Sequence, residues 1–284
     1  HGDMVTGAGN WNWIVSGATV NLTGGTFNPA SYAQSAGTLQ GTANVNIAGD
    51  ATISGGNYNV IGTTEIAGNL IVSGGNFDNG AGTRTINVGG NLTQSGGILG
   101  GGNGAADMTI GGNFMFTGGT VGSGILSSGP IAVNGTAYIS TGTTKTIIGR
   151  NLVINNEGLL NATDAFNIGY ANKITISPGA TWNIDLSTPK TIGNPYGSLP
   201  VIDNMGTIQL NGTSLFNLSS GLFIILKNAG EVIVGGGELR LSTTENTGTF
   251  KGIGLLNFAA GTLTQNGTIS PGLSPGILTA NGLQ

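Results

Sequence analysis

Ser274 lies in GLSPG (Gly272 to Gly276), the spacing of a nucleophile elbow, in which a strand-to-helix turn exposes a serine for acyl transfer. Two features argue against that chemistry. Pro275 obstructs the helix that an elbow opens, and the only histidine, His1, sits at the chain start rather than where a base is needed. GGNGAADM (Gly101 to Met108) approaches the calcium-binding nonapeptide of β-rolls, but Asp107 falls one residue late. It also occurs once, whereas a calcium roll needs tandem copies. The absence of cysteine removes disulfides and thiolate ligands. No catalytic residue, cofactor site or metal site is expected.

Carbohydrate chemistry requires a closer reading, because glycoside hydrolysis of either stereochemistry uses a pair of carboxylates. Here the acids stand singly between repeats, as at Asp50, Glu65, Asp78, Asp107 and Glu157. The densest ionic region is Glu231, Glu238, Arg240, Glu245 and Lys251. Glu238 and Arg240 would share a strand face, and Glu231 would stack beneath Lys251 one coil later, as a solvated ion-pair ladder. Asp185 with Lys190 is a second ionic candidate. An enzyme acting on polysaccharides would need carboxylates converging at one of these two places. Trp11 and Trp13, two apart in sequence, lie on one face of a strand. They suit either an end cap or a platform for stacking sugars. Threonine clusters occur at Thr83 to Thr85 and Thr141 to Thr146 but do not recur in every coil, as a flat ice-binding face would require.

The elements that position these residues are written as a repeat. IAGDATISGG from Ile47, IAGNLIVSGG from Ile66, VGGNLTQSGG from Val88 and IGGNFMFTGG from Ile110 share one pattern. Their paired glycines begin at Gly55, Gly74, Gly96 and Gly118. A nearly fixed period close to twenty, with short alternating apolar runs between glycines, predicts an all-β solenoid. Each coil, of about 19–23 residues, holds two or three short strands and pairs with the next coil as a parallel β-helix. Twelve or thirteen coils would make a rod of roughly 60 Å. Asp50, Asn69, Asn91 and Asn113 occupy equivalent positions after a glycine. Stacked at one corner, they would form an amide ladder. The chain reads as a single solenoid over 1–284. Residues 1–46 are N-terminal coils with a possible cap, and 47–186 are the regular coils. Residues 187–200, with three prolines, read as an excursion, and 201–284 as C-terminal coils.

Composition narrows the partners. Charged residues are 7% of the chain and net charge is −4, so there is no basic patch for nucleic acid. No apolar run reaches the roughly 20 residues that span a bilayer as a helix. The chain begins at His1 without methionine, which is expected of a processed product or a piece of a longer protein.

The segment NGTISPGLSPGILTANG (Asn266 to Gly282) closely resembles a G-x-I-S-P-G-x-S-P-G-x-L repeat found in β-strand regions of autotransporter-type passengers and large secreted bacterial adhesins. The matching residues are Gly267, Ile269, Ser270, Pro271, Gly272, Ser274, Pro275, Gly276 and Leu278, and ISPGATW at Ile176 is a partial echo. The specific resemblance is confined to that segment, and the remainder of the chain agrees in style only. It implies a right-handed β-helix exported to the bacterial cell surface and used for adhesion or as a stalk. The expectation is an extracellular, non-catalytic scaffold whose partners are copies of itself, joined end to end or side by side, or surface glycans. A polysaccharide-acting β-helix enzyme and a carbohydrate- or ice-binding solenoid face are the alternatives.

Overall fold

Alternation of buried and exposed side chains sets the strands. Asn44–Ile47 alternates exposed and buried residues, and Thr64–Ile66, Leu70–Val72 and Phe114–Phe116 bury their first and last residues. Such period-two segments, rich in β-branched residues and cut short by Gly-rich corners, cannot present a helical stripe. The computed structural model describes residues 11–78, 84–100, 106–122, 129–219, 224–258, 261–272 and 277–282, and these contain strands, turns and bends but no helix. His1, Thr83, Gly101 to Ala105 and Ser274 to Gly276 lie outside the described residues. The strands pair in parallel with those of neighbouring coils and stack as a β-solenoid of about eleven turns.

The rod has three faces. The first is a sheet of twelve strands, from Thr26–Phe27 to Leu263–Gln265. The second and third begin as the two halves of the long strands Asn12–Leu22 and Ser31–Gly41. The second continues through Ala51–Ile53 and Leu70–Val72 to Thr268–Pro271. The third runs through Asn57–Val60 and Asn76–Phe77 to Thr279–Asn281.

Register gives the coil lengths. Thr64 pairs with Ile86 and Ile86 with Met108, two equal steps along the chain. Later coils depart from the expected period: Ile174 pairs with Ile202, a longer step, whereas Leu226 pairs with Thr244, a shorter one. The long coils reduce the number of turns from the twelve or thirteen expected, and the rod length to about 50 Å. The segment 187–200 also differs from expectation. Lys190–Gly193 within it is a strand of the third face, paired with Phe166 and Asn167 on one side and Phe216 and Asn217 on the other. Pro189 and Pro195 flank that strand without interrupting its ladder, as proline permits at strand ends.

Inward side chains form columns along the axis. One column of the first face descends from Ile47 through Ile66, Val88, Ile110, Val133, Ile154 and Ile176, all buried. Size matching fixes the second face at Gly158, where an added Cβ would lie 2.6 Å from Cδ1 of the fully buried Trp182 in the next coil.

Candidate functional surfaces

Asp50, Asn69, Asn91 and Asn113 form an axial ladder at the corner between the first and second faces. The backbone N–H of Asn69 donates to Asp50 Oδ1 at 2.7 Å. The amide of Asn91 donates to Asn69 Oδ1 at 2.9 Å, that of Asn113 to Asn91 Oδ1 at 2.8 Å, and that of Thr136 to Asn113 Oδ1 at 2.8 Å. The main contact is thus side-chain oxygen to main-chain N–H. Side-chain amide contacts, such as Asn91 Nδ2 to Asn69 Oδ1 at 3.3 Å, are secondary. Each corner gives a partner to an N–H that the turn removes from the sheet.

A second amide ladder lies inside the rod. Asn204 Nδ2 donates to Asn228 Oδ1 at 2.7 Å, Asn228 Nδ2 to Asn246 Oδ1 at 2.7 Å, and Asn246 Nδ2 to Gln265 Oε1 at 2.9 Å. All three asparagines are buried and continue the Ile47-to-Ile176 column. Sequence reasoning missed this ladder. Its signal was an amide at the end of successive first-face strands: Asn204, Asn228, Asn246 and Gln265.

The ionic residues are resolved into separate pairs. Lys251 Nζ lies 2.5 Å from Glu231 Oε1, Arg240 Nη2 2.8 Å from Glu238 Oε1, and Lys227 Nζ 2.9 Å from Glu245 Oε2. All six side chains are partly solvated, as in an ion-pair ladder. Lys190 is not paired with Asp185. It is buried, and the charges acting on it are those of Asp164 and Lys145. Lys145 donates to both carboxylate oxygens of Asp164, at 2.8 and 2.9 Å, and to Thr143 O at 2.8 Å. Burial raises the Asp164 carboxyl, but the Lys145 hydrogen bond and charge together with backbone donors, including the Gly142 amide, hold that group below its ordinary range. Burial lowers the Lys190 ammonium; Asp164 opposes that shift and Lys145 adds to it.

Asp78, one of the acids that stand singly in sequence, is the centre of a buried charge cluster. It accepts from Arg84 Nη2, from Arg150 Nη1 at 2.9 Å and from the amide of Ala106 at 3.0 Å. Arg150 also donates to Gly129 O at 3.0 Å and to Ala106 O at 2.5 Å, so one side chain ties several successive coils. Gly100, at φ +79°, leaves the path open, because a Cβ there would overlap Arg150 Nη1. Burial pulls the Arg150 guanidinium below its ordinary value, and Asp78 opposes that shift. The cluster is a structural tie, since its side chains are at most 1% exposed.

Trp11 and Trp13 pack edge-on to Phe27, with ring centroids 4.9 and 4.2 Å away, and Trp13 lies 5.3 Å from Tyr32. The row continues inward from Tyr32 to Tyr58 and on to Phe77. Both tryptophans are therefore partly buried against the core in the first described coil.

A groove of about 680 Å³ runs along the first face over its early coils. Ala48, Ala67, Gly89 and Gly111 lie along it, and Asn46, Glu65, Asn87 and Thr109 line it in register. Asn87 Nδ2 donates to Glu65 Oε1 at 2.8 Å. Among the described residues no three of His, Cys, Asp or Glu gather as a metal site. No helix of the described residues is long and apolar enough to cross a membrane. Comparison with protein families, with characterised proteins and with solved structures finds no match in any of the three.

Proposed function

We propose that this chain is a non-catalytic structural and adhesive scaffold outside the cell, part of a bacterial surface or secreted fibre, and that rods join end to end. The observation that carries this reading is the stacking itself. Hydrogen-bonded coils, two amide ladders and a buried charge tie run along one axis, while the ionic residues sit in separate pairs along the rod. That arrangement resists bending and pairs Glu231, Glu238 and Glu245 with neighbouring cations. In the proposed contact the edge is that of Leu263–Gln265, Thr268–Pro271 and Thr279–Asn281, the last described strands of the three faces. Residues 252–284 carry no charged side chain to protect that edge. A second copy continuing the three parallel sheets makes a head-to-tail contact that does not close, and so a filament.

Electron microscopy of the purified chain at several concentrations tests this. Filaments with an axial repeat near one rod length, lost in Ile269→Lys, support the reading. Isolated rods at every concentration would sink end-to-end assembly and leave adhesion by single rods. Release of reducing ends from a polysaccharide panel would sink the non-catalytic assignment.

A further inference from the structure

We infer that the groove on the first face is a binding site for an extended polysaccharide bearing free amino groups, lying along the rod axis. The groove extends over several coils, and its floor is made by the small exposed residues Ala48, Ala67, Gly89 and Gly111. Such a floor accepts the C–H faces of sugar rings, while branched or aromatic side chains there would fill it. Along one side Asn46, Glu65, Asn87 and Thr109 follow one another in register, one per coil. This is a ladder of donors and acceptors at the strand spacing of about 4.8 Å, suited to a ligand that is itself a repeating chain of hydroxyls. Glu65 engages one carboxylate oxygen with Asn87, and among the described residues no other hydrogen bond holds its second oxygen.

Charge selects the class of sugar. The acids Asp50, Glu65 and Asp107 are exposed or half-exposed on these coils, whereas the only basic residue between 28 and 113, Arg84, is buried against Asp78. All other lysines and arginines lie at 145 or beyond. An acidic polysaccharide would be repelled at Glu65, the acid that lines the groove, while an ammonium on the ligand meets that carboxylate without a competing protein cation. A polymer of glucosamine carries such groups at each unit.

This inference rests on the adhesive reading above, and the experiment separates their failures. Full-length chain is titrated against immobilised glucosamine polymer, a neutral glucan and polygalacturonate, with reducing ends assayed in the same wells. Ala67→Tyr fills the floor, Glu65→Gln removes the charge, and Thr93→Tyr on the second face of the same coils is the control. Thermal unfolding checks that each variant is folded. The expected result is binding to the glucosamine polymer that weakens with salt. It should fall roughly tenfold or more in Ala67→Tyr, fall also in Glu65→Gln, and be unchanged in Thr93→Tyr. No binding to the glucosamine polymer, equal binding by folded Ala67→Tyr, or preference for the neutral glucan or polygalacturonate would overturn the groove assignment while leaving the scaffold reading intact. Cleavage of a polymer would overturn the scaffold reading instead.

Discussion

Replacing Asp78 with asparagine is expected to destabilise the rod far more than replacing Arg150 with methionine, although both remove the same ion pair. Asp78 is the single carboxylate between two guanidinium groups, and the three side chains are 0–1% exposed. Asp78→Asn preserves shape but removes the carboxylate that Arg84 and Arg150 share, with Asp107 the other acid acting on Arg150. Breaking a buried pair by removing one partner costs about 3–5 kcal/mol. Arg150→Met instead leaves Asp78 with Arg84, an electrically neutral pair. It forfeits the donations to Gly129 O and Ala106 O and regains apolar contact, for a net loss of about 1–2 kcal/mol. For a chain of this length the first change corresponds to about 5–10 °C in melting temperature and the second to a few degrees. Because stacked coils open locally, hydrogen exchange is the better assay. Amides from 84 to 150 should exchange faster in Asp78→Asn, with those from 225 to 258 unaffected. A loss in Arg150→Met equal to or greater than that in Asp78→Asn would refute the counter-charge argument, as would faster exchange spread evenly along the rod.

The internal amide ladder should be sensitive at its middle: Asn228→Leu strands Asn246 Oδ1 in the core and should cost about 1–3 kcal/mol in urea unfolding. The corner ladder is solvated, so Asn91→Ala should cost about 0.5–1 kcal/mol by the same measurement. Lys190 has a lowered folded pKa, so the unfolded chain binds more protons in the window between that value and the ordinary lysine value. Stability therefore rises with pH through that window, and Lys190→Met should raise the melting temperature at neutral pH, with the gain shrinking toward the ordinary lysine pKa. Burial holds the Tyr32 and Tyr58 hydroxyls well above the ordinary phenol range. Their contribution is complete below that range and is lost as pH rises beyond it. In an alkaline ultraviolet titration their ionisation should coincide with unfolding rather than precede it.

Much of the architecture was legible because it is local and repeated. Glycine pairs, period-two alternation and the Asp50-to-Asn113 positions recur at nearly fixed spacing, and stacking equal units places equal residues together. The Glu238–Arg240 contact followed from strand alternation, whereas Lys251 stands in register with Ile233 and reaches Glu231 diagonally. Asp185 and Lys190 did not pair, because Asp185 is exposed after its strand whereas Lys190 turns inward and is buried. The three prolines of 187–200 suggested a loop, yet they flank a short strand, Lys190–Gly193, that keeps its ladder.

By itself the sequence determined the solenoid class, the parallel stacking and the absence of cysteine chemistry, since these depend on composition and on residues within one period of each other. Only the tertiary structure decided that Asp78 meets Arg150 several coils away, that Lys190 is buried rather than paired with Asp185, and that four small residues line a groove beside Glu65. These depend on accumulated coil lengths and on side-chain direction. A long arginine can reach past neighbouring coils wherever a glycine such as Gly100 leaves room, and no periodic pattern in the chain records that reach.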